Sequence, residues 1–456
     1  MAKKGHDLTN GSILNKLLLI AGPIIATQLF QMAYNLIDMF FVGRISSDAV
    51  AATGSAGMFV WLSVAFFVIG SMGASIGVSQ NKGKGDMQAA KLFAQNSLLI
   101  SLILGTFYAT MIIAFAPIFI NWLGIREYQV AQDAVIYLRL VAIAFPMLFA
   151  NNAITGTFNG SGNSRLPFQL KMVGLGVNII ITPILIFVFD LGVMGAGIAT
   201  AIGYATTGLL LIFAIKNPKI SPFDDFKFKD IFKLHQPTMK QIFKWSLPVA
   251  IENGSNTLLT MVVMNMIASF GVNAVVTKQI GVNMESLTFL VGGGYAAAFT
   301  AFVGQNFGAN QIDWIKKGFK VSLIFQIGWG ALVTVMLIFT GGSFYRLFTD
   351  NVAIIESGIR YLRITAFIQI TSALEAISAG AFRGFGKTIP PSITIIVCNI
   401  LRIFIAYALS LTPLGLYGVF IGAASGIFMR GVIMLSWFLI YFIRNFRNVK
   451  NVEVAT

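Results

Sequence analysis

The sequence predicts an all-α integral membrane protein of twelve transmembrane helices, arranged as two parallel six-helix lobes. Three observations predict it: an apolar composition, a series of long apolar runs, and landmarks that recur after about 225 residues. Of the 456 residues, 56% are hydrophobic and only 11% are charged, and the mean hydropathy is +0.80. A soluble domain carries roughly 25% charged residues, because its surface must be wetted. A water-soluble enzyme of this length is therefore excluded as the first reading, and lipid is the expected solvent. Cys398 stands alone in an apolar run, so no disulfide framework exists. His6 and His235 are isolated, so no histidine metal cluster is available.

A spanning helix needs about 20 mostly apolar residues. Such runs lie near 14–42, 50–79, 92–120, 134–158, 167–189, 193–215, 241–270, 275–304, 318–341, 357–382, 390–411 and 416–443. The connections are short. The longest, 216–240, is polar and basic and contains three prolines. The first run is long and holds Pro23, Gln28, Gln31, Asn35 and Asp38, so it reads as a helix rather than a cleaved signal peptide.

The net charge of +15 is sorted between two sides. Twenty-three of the 32 basic residues fall at the N-terminus, in the even-numbered connections or at the C-terminus, from Lys3, Lys4 and Lys16 to Arg444, Arg447 and Lys450. Seven fall on the other side: Arg44, Arg126, Arg139, Lys278, Arg346, Arg360 and Arg363. Arg402 and Arg430 lie inside runs. Lys and Arg are retained in the cytoplasm, so both termini are expected there, in a cell (inner or plasma) membrane. Short loops without elaborate domains point to a prokaryotic inner membrane. Basic loops that bind nucleic acid or anionic lipid are the rival reading of this charge; no nucleic-acid partner is expected.

The landmarks divide the chain in two. Gly22-Pro23 recurs at Pro248, and Gln80-Asn81-Lys82-Gly83 recurs as Gln305-Asn306-Phe307-Gly308, both at an offset of 225. Tyr137-Leu138-Arg139 recurs as Tyr361-Leu362-Arg363, and Phe158–Gly162 as Phe382–Gly386, both at 224. Gly192 and Gly195 match Gly415 and Gly418 at 223. The expected domains are residues 1–215, a cytoplasmic linker 216–240, and 241–456. An even number of helices per half makes the halves parallel, and such folds place a substrate site where the repeats meet.

These motifs resemble the multidrug and toxic compound extrusion (MATE) family of secondary transporters over the whole chain. The resemblance rests on Pro23, Gln28, Asp38 and Gly43, on AVAATG at 49–54, on GTFNGSGNSRLP at 156–167 with its twin GAFRGFGKTIPP at 380–391, and on VNIIITPILIF and GVMGAGIAT within 177–200. It implies two six-helix lobes that export drugs and organic cations in exchange for H⁺ or Na⁺, with small cationic or amphiphilic substrates as partners. No cofactor, no metal beyond a possible Na⁺, and a monomer are expected. The alternative is a flippase for lipid-linked oligosaccharide or another lipid precursor, a distant relative of similar plan. An integral-membrane enzyme lacks a nucleophile–base set, a metal box or a cofactor motif here.

Ionisable groups inside a bilayer are costly and tend to be functional. Four acids qualify: Asp38, Glu252, Glu285 and Glu375. Their partners in the other half are Val263, Thr27, Val60 and Asn151, so the halves share scaffold but not charge. The family places a cation-linked aspartate where Asp38 stands, and accompanies it with an Asn and an Asp four apart and a Thr. Asn178 and Thr200 match, while Thr182 occupies the place of the second acid. A hard cation prefers several oxygens with carboxylate charge. The loss of one carboxylate weakens the Na⁺ case in this half and leaves Asp38 as a proton carrier, since desolvation favours a protonated carboxyl. A structural hydrogen bond is the plainer reading of Asp38.

In the second half, Glu252 and Glu375 both sit toward the cytoplasmic end and are positioned to meet. Paired carboxylates share a proton or bind a cation. One branch of the family carries its acids one turn away, near Asn256 and Ser372 here. Glu285, Arg402 and Arg430 complete a second-lobe charge network, whose plainer reading is packing alone. Four acids against two arginines favour cationic substrates. Tyr34, Met58, Trp61, Asn151, Asn152, Asn253, Met284 and Phe289 are candidate cavity residues from their positions, since aromatic faces and soft sulfur suit flat cations. Pro23 and Pro248 open corresponding helices and are expected to kink them. The paired Gly-x-Gly segments, 160–162 and 384–386, read as helix-end turns rather than phosphate loops.

Overall fold

The computed structural model describes residues 5–125 and 127–446. Lys3, Lys4, Arg126, Arg447 and Lys450, counted above among the sorted cations, lie outside the described residues. The described residues form α-helices, a π-turn and a 3₁₀ turn, with no strand among them. The first series is α1 (Ile13–Gly43), α2 (Ser47–Leu62), α3 (Val64–Gly83), α4 (Met87–Trp122), α5 (Tyr128–Ile143), α6 (Phe145–Gly160), α7 (Arg165–Pro183) and α8 (Gly192–Lys216). The second is α9 (Gln236–Ala268), α10 (Val272–Gly308), α11 (Ile312–Arg346), α12 (Val352–Ala366), α13 (Gln369–Gly384), α14 (Ile389–Ser410) and α15 (Leu416–Phe446).

Nine helical stretches are long and apolar enough to cross a membrane, with α2 and α3 counted as one; the bent pairs α5–α6 (48°) and α12–α13 (45°) bring the number among the described residues to eleven. The remaining long helix is α9. Its 33 residues include Lys240, Lys244, Glu252, Asn253 and Asn256, and this polarity sets it apart from the others. The layout is that of the twelve-helix, two-part fold expected from the sequence.

The compact units divide the chain close to the two helix prolines. One holds residues 22–250 together with the N-terminal stretch ending at Leu8; the other holds Thr9–Ala21 and the chain from Ile251 onward. The divisions fall next to Pro23 in α1 and Pro248 in α9. Segment 216–240 lies within the first unit. Its Phe223, Phe226 and Ile231 are buried beside Leu211, Ala214 and Phe158, and Lys91 Nζ donates to the Asp225 carbonyl at 3.0 Å. A connection that looks polar in sequence is thus anchored by its three apolar side chains.

The repeated landmarks prove to be helix stops and close approaches. Gly162 and Gly386 adopt left-handed backbone, φ +83° and +72°, which an L side chain rarely tolerates. Each ends a helix in the same double bond pattern. Asn163 N donates to Phe158 O (2.9 Å) and Gly162 N to Asn159 O (2.9 Å). Lys387 N donates to Phe382 O (2.9 Å) and Gly386 N to Arg383 O (2.8 Å). This Schellman arrangement satisfies the last carbonyls of α6 and α13. The Gly-x-Gly segments are therefore helix-end turns.

Small residues bring the helices together inside each unit. A Cβ on Gly160 would lie 2.6 Å from the Ser75 carbonyl oxygen of α3, and one on Gly384 would lie 2.8 Å from the Thr300 carbonyl oxygen of α10. Gly156 meets Ser71 and Gly380 meets Ala296 in the same way. Without a hydrophobic drive in lipid, such close backbone packing is a main source of helix association.

Candidate functional site

In the first unit the site grows from three i,i+4 pairs, each on one helix face. α1 supplies Tyr34 and Asp38, α7 supplies Asn178 and Thr182, and α8 supplies Thr200 and Tyr204. α7 and α8 approach through glycines: a Cβ on Gly174 would sit 2.9 Å from the Gly203 carbonyl oxygen. Just beyond, Pro183 removes a backbone donor and the helix widens into a π-turn at Ile184–Val188.

Asp38 lies among phenols. Tyr34, Tyr137 of α5 and Tyr204 are all close enough to feel its charge, and the Thr200 hydroxyl lies between Tyr34 and Tyr137. The Oδ1 of Asp38 is buried with no hydrogen-bond partner, and the carboxyl has no basic partner among the described residues. Thr182 Oγ1 donates to Asn178 Oδ1 at 3.0 Å, and both side chains are buried. The two expected companions are thus paired with each other. Asn151 donates to the Tyr204 carbonyl at 3.0 Å, and its own Oδ1 is unpartnered.

The second unit treats its acids differently: each has a basic partner. Arg383 Nη2 donates to Glu252 Oε1 at 2.8 Å, and the Ser392 hydroxyl donates to Oε2 at 2.8 Å. Arg430 Nε faces Glu375 Oε2 at 3.4 Å. Lys278 Nζ lies 3.5 Å from Glu285 Oε2, donates to the Tyr361 hydroxyl, and sits over the Tyr361 ring. Arg402 Nη2 donates to Thr260 Oγ1 at 2.9 Å, and Asn399 Nδ2 to Asn256 Oδ1 at 3.0 Å. Glu252 and Glu375 share one electrostatic neighbourhood, but with Arg383, Arg402 and Arg430 among them. They do not form a bare pair of carboxylates.

The charge tally changes accordingly. Arg383 and Lys278, assigned from sequence to the two sides of the membrane, reach the acids of the helical interior. The second unit holds three of the four acids with Lys278, Arg383, Arg402 and Arg430; the first holds Asp38 without a cation beside it. Sequence reasoning missed Tyr137, Tyr204, Arg383, Ser392, Thr260 and Asn399. Tyr137 was visible only as part of the Tyr-Leu-Arg landmark, and Arg383 only as a residue of the helix-end motif.

The candidate cavity residues scatter. Tyr34 is buried beside Asp38, and Met284 is enclosed in an apolar cluster with Val263, Ile280 and Tyr361. Asn152 donates to the Leu148 carbonyl of its own helix at 2.8 Å. The Asn253 carbonyl accepts from Thr257 at 3.1 Å. Met58, Trp61 and Phe289 are exposed.

Fold and charges together define a polytopic helical membrane protein with a duplicated scaffold and unequal ionisable groups inside its two halves. The chain belongs to the MatE family, whose profile matches residues 23–184 and again 248–408, the two copies starting 225 residues apart. It is 26% identical over 440 residues to a probable multidrug resistance protein NorM of Thermotoga maritima, covering 94% of this chain and 92% of that one. It is 24% identical to a probable multidrug resistance protein YoeA of Bacillus subtilis, covering 90% of each. A crystal structure of MATE in the bent conformation superposes with a TM-score of 0.91 at 22% identity, over 97% of this chain and 98% of that one. At that identity the structural likeness establishes the fold alone.

Proposed function

We propose that the protein is a secondary active transporter that exports drugs and organic cations in antiport with H⁺ or Na⁺, by alternating access of its two halves. The observation that carries this reading is Asp38, a carboxyl within a membrane-spanning helix that has no basic partner and one buried, unpartnered oxygen. A packing residue is normally satisfied. A site that must take up and release a cation needs an acceptor left free. The multidrug-resistance names of the relatives support the cargo class. With a single carboxylate, and Thr182 already donating to Asn178, the proton is the better-matched coupling ion. The sorted Lys and Arg residues support a cell-membrane location with cytoplasmic termini. A monomer holding all these residues in one chain suffices for the mechanism.

Uptake of ethidium into inverted vesicles under an imposed proton or sodium gradient tests the reading. Gradient-driven accumulation is expected, and it is lost in Asp38→Asn. Accumulation indifferent to both gradients overturns antiport. The second reading, a lipid-precursor flippase, is favoured by the arginines of the second unit; it predicts translocation of a pyrophosphate-linked lipid and no ethidium uptake.

A further inference from the structure

Arg402 is a buried cation without an acid of its own. Five charged side chains converge in the second unit, and two acids are distributed over three arginines: Glu252 with Arg383 at 2.8 Å, and Glu375 with Arg430 at 3.4 Å. The formal sum is one positive charge; Arg430 has an acid, and the surplus falls on Arg402. Both are only 7% exposed. The Arg402 Nε–H has no acceptor among the described residues, and the Arg402 guanidinium is held by the neutral Thr260 hydroxyl at 2.9 Å; the Arg430 Nε faces Glu375 Oε2 at 3.4 Å, too long for a good hydrogen bond. An uncompensated guanidinium in a low-dielectric interior is costly.

The arrangement is built rather than accidental. Gly426 of α15 lies against the stem of Arg402: a Cβ there would stand 2.6 Å from the Arg402 Cβ. Arg430 follows one turn later on the same face of α15. The glycine therefore seats the α14 arginine beside the α15 arginine. Thr260 and Asn256, which accept from Arg402 and Asn399, are exposed, so the group lies one side chain below the surface of the unit. Its donors are planar guanidinium edges, the geometry that suits a carboxylate or a compact anion. One net positive charge matches a monovalent anion and not a phosphate.

We propose that Arg402 and Arg430, with Thr260, form an anion subsite in the second unit that takes a single monovalent anionic group, either the carboxylate of a zwitterionic cargo or an inorganic halide. The carboxylate source rests on the transport reading above; halide binding does not.

Chlorine NMR line broadening by the purified full-length chain in lipid nanodiscs, at constant ionic strength with isethionate as the replacing anion, tests the proposal. Saturable excess broadening is expected, with affinity reduced about tenfold or more in Arg402→Gln and in Arg430→Gln, the loss of one charge-assisted hydrogen bond. Displacement by benzoate identifies a carboxylate site; broadening that benzoate leaves unchanged identifies a halide site. Wild-type broadening no greater than that of empty nanodiscs overturns the proposal without reference to any variant. If the transport reading alone fails, the vesicles do not accumulate ethidium while the chloride signal persists.

Discussion

Arg383 of α13 reaches across to Glu252 of α9, its Nη2 lying 2.8 Å from Oε1, while the Ser392 hydroxyl of α14 holds the other carboxylate oxygen at 2.8 Å. Three helices of the second unit meet at one saturated acid. Removing one partner of a buried pair leaves the other charge stranded, at a cost of about 3–5 kcal/mol. Arg383→Gln is therefore expected to lower the melting temperature of the purified protein sharply, and Glu252→Gln with Arg383→Gln to recover most of the loss. If the two losses simply add, the pair does not hold these helices.

The first unit offers the opposite case. Thr182 stands four residues after Asn178 with its hydroxyl donating to the Asn178 Oδ1 at 3.0 Å. Thr182→Asp introduces a second carboxylate on α7, in the same unit as Asp38, and several charged oxygens suit a hard cation. Transport in vesicles is expected to become sodium-stimulated. A variant that still transports but ignores sodium would show that these helix faces do not share a site.

The glycine contacts of α3 with α6 give a stability test. Gly156 has no room for a side chain against the Ser71 carbonyl, while Gly57 has nothing within 4 Å. Overpacking costs about 1–3 kcal/mol where neighbours can shift, and a backbone oxygen cannot shift far. Gly156→Val should abolish the monodisperse peak in size-exclusion chromatography, and Gly380→Val should do the same; Gly57→Ala should be silent. Normal yield for Gly156→Val would contradict the close approach.

Pro23 sits inside a continuous α1, where the Thr27 hydroxyl donates to the carbonyl of Pro23 at 2.8 Å. The two compact units divide beside this proline and beside Pro248. Pro23→Ala restores a backbone donor and stiffens the helix. Ethidium transport is expected to fall severalfold while the melting temperature holds or rises. Full transport in Pro23→Ala removes bending of α1 from the mechanism.

The fold was legible because lipid imposes strong rules on sequence. Apolar run length located all twelve spans, α9 among them despite Glu252 and its asparagines. The landmark residues recur because a helix can end in a left-handed turn only with special residues: Gly162 and Gly386 fill that position in both halves. The site was less legible. Asp38, Asn178 and Thr200 were reachable through resemblance, and an intramembrane acid announces itself by its cost. Its phenolic neighbours do not, because a tyrosine such as Tyr137 or Tyr204 looks like any interfacial aromatic until helices pack. Nor does sequence show that a cation at a helix end turns inward. Arg383 lies in the last turn of α13, where a charge is ordinary, and only its contact with Glu252 reveals that it balances an acid.

A solitary carboxyl with an unpartnered oxygen sets a ceiling on work. If Asp38 is the sole carrier, one cycle returns at most one cation, and no cargo can be driven further than that single charge allows. One elementary charge moved through 100 mV is worth about 2.3 kcal/mol, but a monovalent cationic cargo that leaves as one cation enters moves no net charge, so that exchange draws on the entering ion's concentration gradient alone. A cell relying on this carboxyl gains a modest, continuous dilution of what leaks in, and its protection depends on how quickly the cargo returns across the bilayer.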